Sequence, residues 1–291
     1  MAVTFQSVQT AGITSNSVVV TKPTSTAEGD LLVASFWYKD SGRMVTPPSG
    51  WILEESGGSN QEGAVYTKTA GVSEPANYTW SVDGASVAMD GSITRITGQA
   101  STSPVYVTTS DTADVTGSTG SLTYTYTGMA LTPANSTSNL LLFFNFLKSS
   151  STVGSPSASG YAIENDDPTW TERFEDTIGA ADNIVAMATA VRSEQTSTGV
   201  FSATSTLHSN GAVGFAVAVL VVEDVNITVS PAVIEATATI NAPAVAGGAN
   251  VTPAVIEAIA TIQAPTVTTE DSKITNMDKN SVSSITNLDK S

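Results

Sequence analysis

Short apolar segments separated by turn residues constrain the fold of this chain most strongly. Over the first 225 residues, runs rich in valine, threonine, tyrosine and tryptophan alternate with clusters of glycine, proline, aspartate and serine. No long run has the periodicity of an amphipathic helix. The pattern predicts an all-β fold, an antiparallel sandwich or barrel. The predicted strands are Val18–Val20, Leu31–Tyr38, Gly63–Thr69, Tyr78–Val82, Ser92–Ile96, Leu122–Tyr126, Leu140–Leu147, Ile184–Val191 and Gly214–Val222.

The two parts of this β-rich region resemble each other. Residues 29–36 and 138–145 each place a polar pair before a run of large apolar residues, and each run is followed by a tryptophan in a turn. Two arrangements are open: two half-layers that form one β-sandwich domain over residues 1–225, or two small sandwiches from residues 1–100 and 101–225. The single domain is favoured, because a half of about 100 residues has few large apolar side chains to bury.

Composition and charge exclude several classes of protein. The 291 residues include no cysteine, which rules out disulfides and cysteine-based metal sites. The net charge is −16, and the 11 Lys and Arg residues are scattered, which argues against nucleic-acid binding. Residues 1–6 have no signal-peptide features, and no apolar run reaches the roughly 20 residues of a membrane span. We therefore expect a protein made in a cytoplasm, without a membrane partner.

Catalytic chemistry has weak support. His208 is the single histidine, lies in a predicted turn and has no nucleophile motif beside it. Carboxylate pairs could serve glycoside hydrolysis, but solvated loop charge is the favoured interpretation. These candidates are Glu54 with Glu55, Asp166 with Asp167, and Glu172 with Glu175 and Asp176. Residues 164–167 lack the spacing of an EF-hand calcium loop. We expect no enzyme activity, no cofactor and no metal.

Tryptophans are the remaining candidates for ligand contact. Trp51 and Trp170 follow turns that contain proline, where a sandwich often presents its ligands. If exposed, their rings would stack on a glycan, whereas the alternative places all four tryptophans in the core. The serine-rich stretches 101–121 and 149–159 are predicted to be solvated connectors.

From residue 226 the chain changes character. Residues 229–245 recur almost unchanged as residues 251–267, a period of 22 residues. On a strand, alternate positions of each copy form one apolar stripe, and prolines bracket it. The stripe residues are Ile234, Ala236, Ala238, Ile240, Ile256, Ala258, Ala260 and Ile262. Two such thin stripes cannot cover themselves, so residues 226–267 are predicted to be a docking arm shielded by other molecules. A flexible low-complexity linker is the alternative.

The last segment, residues 268–291, carries a second repeat with a period of eleven residues. On a helix, five apolar residues would share one face. They are Ile274, Met277, Val282, Ile285 and Leu288. Ser, Thr and Asn are poor helix formers, and a helix of about 18 residues is marginal alone. We expect a short amphipathic helix that forms only on a partner.

Several motifs resemble those of tailed-bacteriophage virion proteins. The likeness is carried by Gly29–Ala34, Pro48–Trp51, Ala64–Lys68 and Gly71–Trp80. The Pro-Ala-Val-Ile-Glu-Ala repeats and the Ile-Thr-Asn-(Met/Leu)-Asp-Lys ending are similar to C-terminal extensions in such proteins. The resemblance implies a jelly-roll-type β-sandwich in a decoration, minor structural or fibre protein. It leaves open whether the protein belongs to the head or the tail.

Two functions follow from these observations. The first is a non-enzymatic virion structural protein, a capsid decoration or tail-fibre component, whose arm docks on other copies of itself or on other virion proteins. The second is a host-surface or carbohydrate-binding adhesin that uses Trp51 and Trp170. A glycosidase or depolymerase ranks last.

Overall fold

The computed structural model describes residues 2–38, 43, 45–58, 62–115, 122–133, 138–148, 158–165, 168–178, 183–205 and 212–223. These residues form sixteen β-strands and no helix, so the predicted all-β class is confirmed for them. The first eight strands are β1 (Thr4–Ser15), β2 (Ser17–Thr21), β3 (Leu31–Tyr38), β4 (Val45–Thr46), β5 (Ile52–Gly57), β6 (Glu62–Thr69), β7 (Asn77–Val82) and β8 (Val87–Thr97). The next eight are β9 (Val105–Val115), β10 (Leu122–Tyr126), β11 (Asn139–Lys148), β12 (Ala158–Ile163), β13 (Thr171–Ile178), β14 (Asn183–Arg192), β15 (Phe201–Ser205) and β16 (Ala212–Val221).

The nine predicted strands all coincide with observed ones, and other strands were missed. The stretch 101–121, predicted to be a connector, contains the eleven-residue β9 and was wrongly assigned. Its serines and threonines are typical of loops, but β9 pairs with β16 along its whole length. Pairing with an apolar neighbour therefore outweighs local composition here.

The strands form four antiparallel sheets. The first large sheet has the order β1-β8-β3-β6-β5, and the first small sheet has the order β2-β7-β4. The second large sheet has the order β13-β14-β11-β16-β9, and the second small sheet has the order β10-β15-β12. Each sheet takes its strands from one half of the chain.

The two halves have the same topology. When eight is added to every strand number, the order of the first small sheet becomes that of the second small sheet. The same addition turns the order of the first large sheet into that of the second large sheet, read from β9 to β13. The resemblance seen in the sequence falls on equivalent strands, because residues 31–36 lie in β3 and residues 140–145 lie in β11. Trp51 and Trp170 are also equivalent, since each directly precedes the fifth strand of its half. Each half therefore builds its own large and small sheet.

Three hydrophobic clusters hold the four sheets together. One lies between the first large and small sheets and includes Phe36 and Trp80. Another lies between the second large and small sheets and includes Phe143. The third joins the two large sheets and includes Trp37 and Phe144. The large sheets are thus covered on both faces, which explains why all eight residues of β3 are buried without alternation.

Close contacts interlock the two large sheets. A Cβ atom at Gly63 would lie 2.7 Å from the Phe215 ring and 2.8 Å from the Phe146 ring, so a side chain has no room there. The carboxylate of Glu55, on β5, accepts hydrogen bonds of 2.9 Å from the hydroxyls of Thr108 and Ser110, on β9. The two halves are therefore fitted to each other as well as to their own small sheets.

The predicted boundary near residue 225, the docking arm and the tail helix lie outside the described residues. Within the described ranges, no helix has the length and apolarity needed to cross a membrane.

Candidate functional site

The structure shows where the arm leaves the folded body. Glu223, the last described residue, forms an isolated antiparallel bridge with Gln99. The neighbouring Val222 accepts a hydrogen bond from the Ala100 N–H at 2.9 Å. Gln99 follows β8 directly, and Thr97 at the end of β8 is paired with Thr4 at the start of β1. Glu223, three residues before the arm, therefore lies near the first residues of β1. The predicted arm and tail contacts, from Ile234 to Leu288, lie outside the described residues.

The outer edge of β1 is the least protected edge of the large sheets. Among the described strands, β1 pairs with β8 alone and is the terminal strand of the first large sheet. Along its 12 residues there is no charged residue and no proline. In an antiparallel edge strand, alternate residues turn their N–H and C=O groups away from the sheet. Such a row is a template for another strand unless charge, proline or a bulge blocks it.

The other three outer edges of the large sheets are protected. β5 carries Glu54 and Glu55 and has a register shift beside them. β13 carries four charged residues in eight positions and is also shifted. β9 carries Asp111, whose carboxylate accepts a hydrogen bond from the Gly128 N–H at 2.6 Å. β1 has a register shift only between Phe5 and Ser7, and its pairing then runs unbroken to Ser15.

One large apolar side chain is exposed on the β1 edge. Ile13 is 47% exposed, although its partner across the ladder, Met89, is buried in the core between the first large and small sheets. Opposite residues of an antiparallel pair share a face, so Ile13 continues this apolar face outward. Ala11, two residues earlier, packs against the same core. An added strand with an apolar stripe on this face would cover Ile13.

The tryptophans predicted to contact glycan pack into the cores. Trp51 is 7% exposed, and its ring lies 5.0 Å from Trp80 and 5.3 Å from Tyr78 between centroids. Trp170 is half-buried, with its ring 5.9 Å from that of Phe143. A turn rich in glycine and proline suggested exposure, but each turn folds its tryptophan back over the small-sheet core. Trp51 therefore presents no open face on which a sugar ring could stack.

Three of the carboxylates first considered for catalysis, Glu54, Glu55 and Glu175, accept hydrogen bonds within the fold. Glu54 accepts a hydrogen bond from the Thr67 hydroxyl, and Glu55 bridges the two large sheets. Glu175 accepts from the Ala158 N–H, and its pKa is raised, mainly by burial. Burial also raises the pKa of Glu172. Asp166, Asp167 and His208 lie outside the described residues.

Sequence reasoning missed the most perturbed carboxyl group, that of Asp90. This side chain is 1% exposed on β8, and its Oδ2 atom is buried without a hydrogen-bond partner. Its pKa is raised to about 8, first by burial and then by the charge of Asp176, while the Gly91 N–H offsets part of the rise. A carboxyl closed off between sheets has no access to a polysaccharide. Asp90 and Asp176 therefore do not form an accessible acid–base pair.

No other site chemistry is evident in the described residues, where no group of three or more His, Cys, Asp or Glu side chains could hold a metal ion. No family model, no curated protein and no solved structure matched the chain. The open edge of β1, next to the point where the arm leaves, is accordingly the candidate functional site.

Proposed function

We propose that this chain is a non-enzymatic structural protein of a tailed-bacteriophage particle, a capsid decoration or tail-fibre component. Its body is a tandem pair of jelly-roll-type β-sandwiches, and its C-terminal arm attaches it to other copies or other virion proteins. The observation that carries the proposal is the duplicated strand pairing. β1 pairs with β8, β2 with β7 and β3 with β6, and β9–β16 repeat the same scheme. These three nested pairs are like those of a rolled-up hairpin, although β5 pairs with β6 and not with β4, and they support the proposal of a jelly-roll-type sandwich, a fold common in viral capsid and lectin domains.

Surface chemistry supports a structural role over an enzymatic one. Of the side chains nominated for catalysis, Glu54, Glu55 and Glu175 are hydrogen-bonded within the fold, and the additional carboxyl group of Asp90 is buried. The arm supplies the second argument. Its repeated stripe has only Ile and Ala on the apolar side and needs a surface from outside the arm. A rigid displayed body with an apolar, repeated attachment segment suits a component of a multi-copy particle, where avidity adds to modest contacts.

The test compares two variants of the full chain. Ile240→Asp with Ile262→Asp places one charge in the stripe of each repeat. Thr239→Asp with Thr261→Asp places the same charges one residue away, on the opposite side of each predicted strand. Particles are purified from cells in which the phage genome carries each version of the gene, and immunogold labelling with mass spectrometry measures the bound chain.

We expect the unaltered chain and the Thr variant in purified particles, and the Ile variant free in the lysate. An unaltered chain missing from the particles would refute the virion assignment. Equal incorporation of both variants would refute attachment through the stripe while leaving the assignment to the particle intact.

A further inference from the structure

We infer that the outer edge of β1 receives the first arm repeat, residues 233–240, of a second copy of the chain as an added antiparallel strand. The inference rests on the proposed docking role of the arm and names the surface that the arm occupies. It makes the first large sheet a six-stranded sheet with one strand supplied by a neighbour.

The receiving edge and the inserted strand are similar in length and low in charge. The part of β1 with unbroken register, Ser7–Ser15, has nine residues, and the arm segment 233–240 has eight. Neither the edge nor the arm segment carries a basic residue, and Glu235 is the single acid between them, on the side opposite the Ile/Ala stripe. Pro231 and Pro243 bracket the arm segment and limit the added strand to at most the eleven residues 232–242 between them.

The apolar faces also match. Gln9, Ala11 and Ile13 lie on one face of β1. Gln9 pairs with Ile93 and Ile13 pairs with Met89, and both partners belong to the core between the first large and small sheets. An arm strand that turns its stripe to this face would place isoleucine and alanine beside Ile13. The edge of this core would then cover the apolar stripe of the arm, which the arm cannot bury by itself.

The point where the arm leaves favours a second copy over the same chain. The last described residue, Glu223, lies near the Thr4 end of β1, so an arm of the same chain that continued from there along β1 would run in the parallel direction. Every described strand pair is antiparallel, and parallel pairing is slightly less stable per residue.

The linker before the first repeat is also almost too short for the same chain to pair antiparallel with its own β1. Its first paired residue would have to reach the Ile13 end, about 30 Å from Thr4 at about 3.4 Å per residue. The nine residues 224–232 span at most about 33–36 Å from Glu223 to Val233 and would be stretched almost fully. A neighbouring copy can bring its arm to the Ser15 end without this constraint.

Cysteine cross-linking tests the inference directly, because the chain has no cysteine of its own. One set of full chains carries Ile13→Cys or Gln9→Cys. A second set carries a single cysteine at Ile234, Ala236, Ala238 or Ile240. The two sets are mixed under mild oxidation, and disulfide-linked dimers are quantified on non-reducing gels. The matched control places the acceptor cysteine at Thr112, an exposed residue of the equivalent edge strand β9.

We expect dimers with Ile13→Cys and Gln9→Cys at least tenfold above those with Thr112→Cys. Antiparallel addition further predicts that the best arm partner of Gln9 lies C-terminal to the best arm partner of Ile13. The reverse order, or yields equal to the control, would overturn the inference. A chain that carries both cysteines and links only within itself would overturn it as well, since the occupant would then be its own arm.

A second measurement does not depend on cysteines. Ile13→Lys puts a charge on the open edge, and Thr112→Lys puts the same charge on β9. Light scattering of the full chain should show loss of self-association for Ile13→Lys alone. If both variants associate as the unaltered chain does, β1 is not the receiving edge. That failure would leave the proposed virion role standing, because particle incorporation is measured separately with the stripe variants.

Discussion

Replacing Asp90 by asparagine is expected to stabilise the folded chain at neutral pH, by an amount that grows with pH. The carboxyl group is 1% exposed between the two large sheets, and its pKa is raised from 3.8 to about 8, first by burial and then by the charge of Asp176. At pH 7 the folded chain therefore holds a proton on Asp90 that the unfolded chain has released. The folded state binds more protons, so the free energy of unfolding falls as pH rises from about 4 to about 8 and levels off above.

The magnitude follows from the same values. The interval between pH 7 and the ordinary pKa of 3.8, at about 1.36 kcal/mol per pH unit, corresponds to about 4 kcal/mol. Asparagine has nearly the same shape and stays neutral, so the Asp90→Asn variant avoids this cost. We expect a gain in unfolding free energy near zero at pH 4, up to about 4 kcal/mol at pH 7 and up to about 6 kcal/mol at pH 9.

Urea unfolding followed by tryptophan fluorescence at these three pH values measures the effect. Other acids whose pKa is raised, such as the half-buried Glu175, change stability in the same direction, but they are common to both proteins and cancel in the difference. Asp83→Asn, at an exposed position after β7, is the matched control and should give a smaller gain at pH 9 than Asp90→Asn. The reasoning is refuted if the difference between Asp90→Asn and the unaltered chain is the same at pH 4 and pH 9.

Three further substitutions test the packing. Gly91→Ala should cost about 1–3 kcal/mol, since its Cβ would lie 2.2 Å from the Phe36 ring, whereas Gly71→Ala, with its nearest neighbour at 3.6 Å, should be nearly neutral in urea titrations. Glu55→Ala should cost about 1–3 kcal/mol, because two hydroxyls of β9 lose a charged acceptor, and an unchanged unfolding midpoint would contradict this. Trp51→Ala should cost about 3–5 kcal/mol because the ring is buried. If the variant instead kept its full stability and lost specific glycan binding, the adhesin alternative would be favoured.

The strands that the sequence predicted are those with strong apolar patterns. β3, β11 and β16 are inner strands of the large sheets, and their sequences are apolar at most positions without alternation. All four outer strands of the large sheets, β1, β5, β9 and β13, were missed. An edge strand is partly exposed and carries polar residues, so its own composition resembles that of a loop. Whether such a segment becomes a strand depends on the strand that it pairs with. That strand lies far away in the chain, so the pairing cannot be recognised from the local sequence.

Only one part of the candidate site could likewise be predicted from the sequence. The apolar stripe of the arm is visible in the sequence, because it depends on spacing along one segment. The receiving edge is invisible there, since it depends on β1 being the last strand of its sheet and on the absence of charge along it. Asp90 was missed for a similar reason. Its burial results from the packing of two sheets whose strands are far apart in the chain.

An electron cryomicroscopy map of the intact particle tests the central claim most directly. The account predicts two successive eight-stranded bodies for each copy, with the repeated arm of each copy lying against another molecule and its isoleucine stripe covered. A map in which the arm folds onto its own body, with no other molecule touching it, would contradict the account.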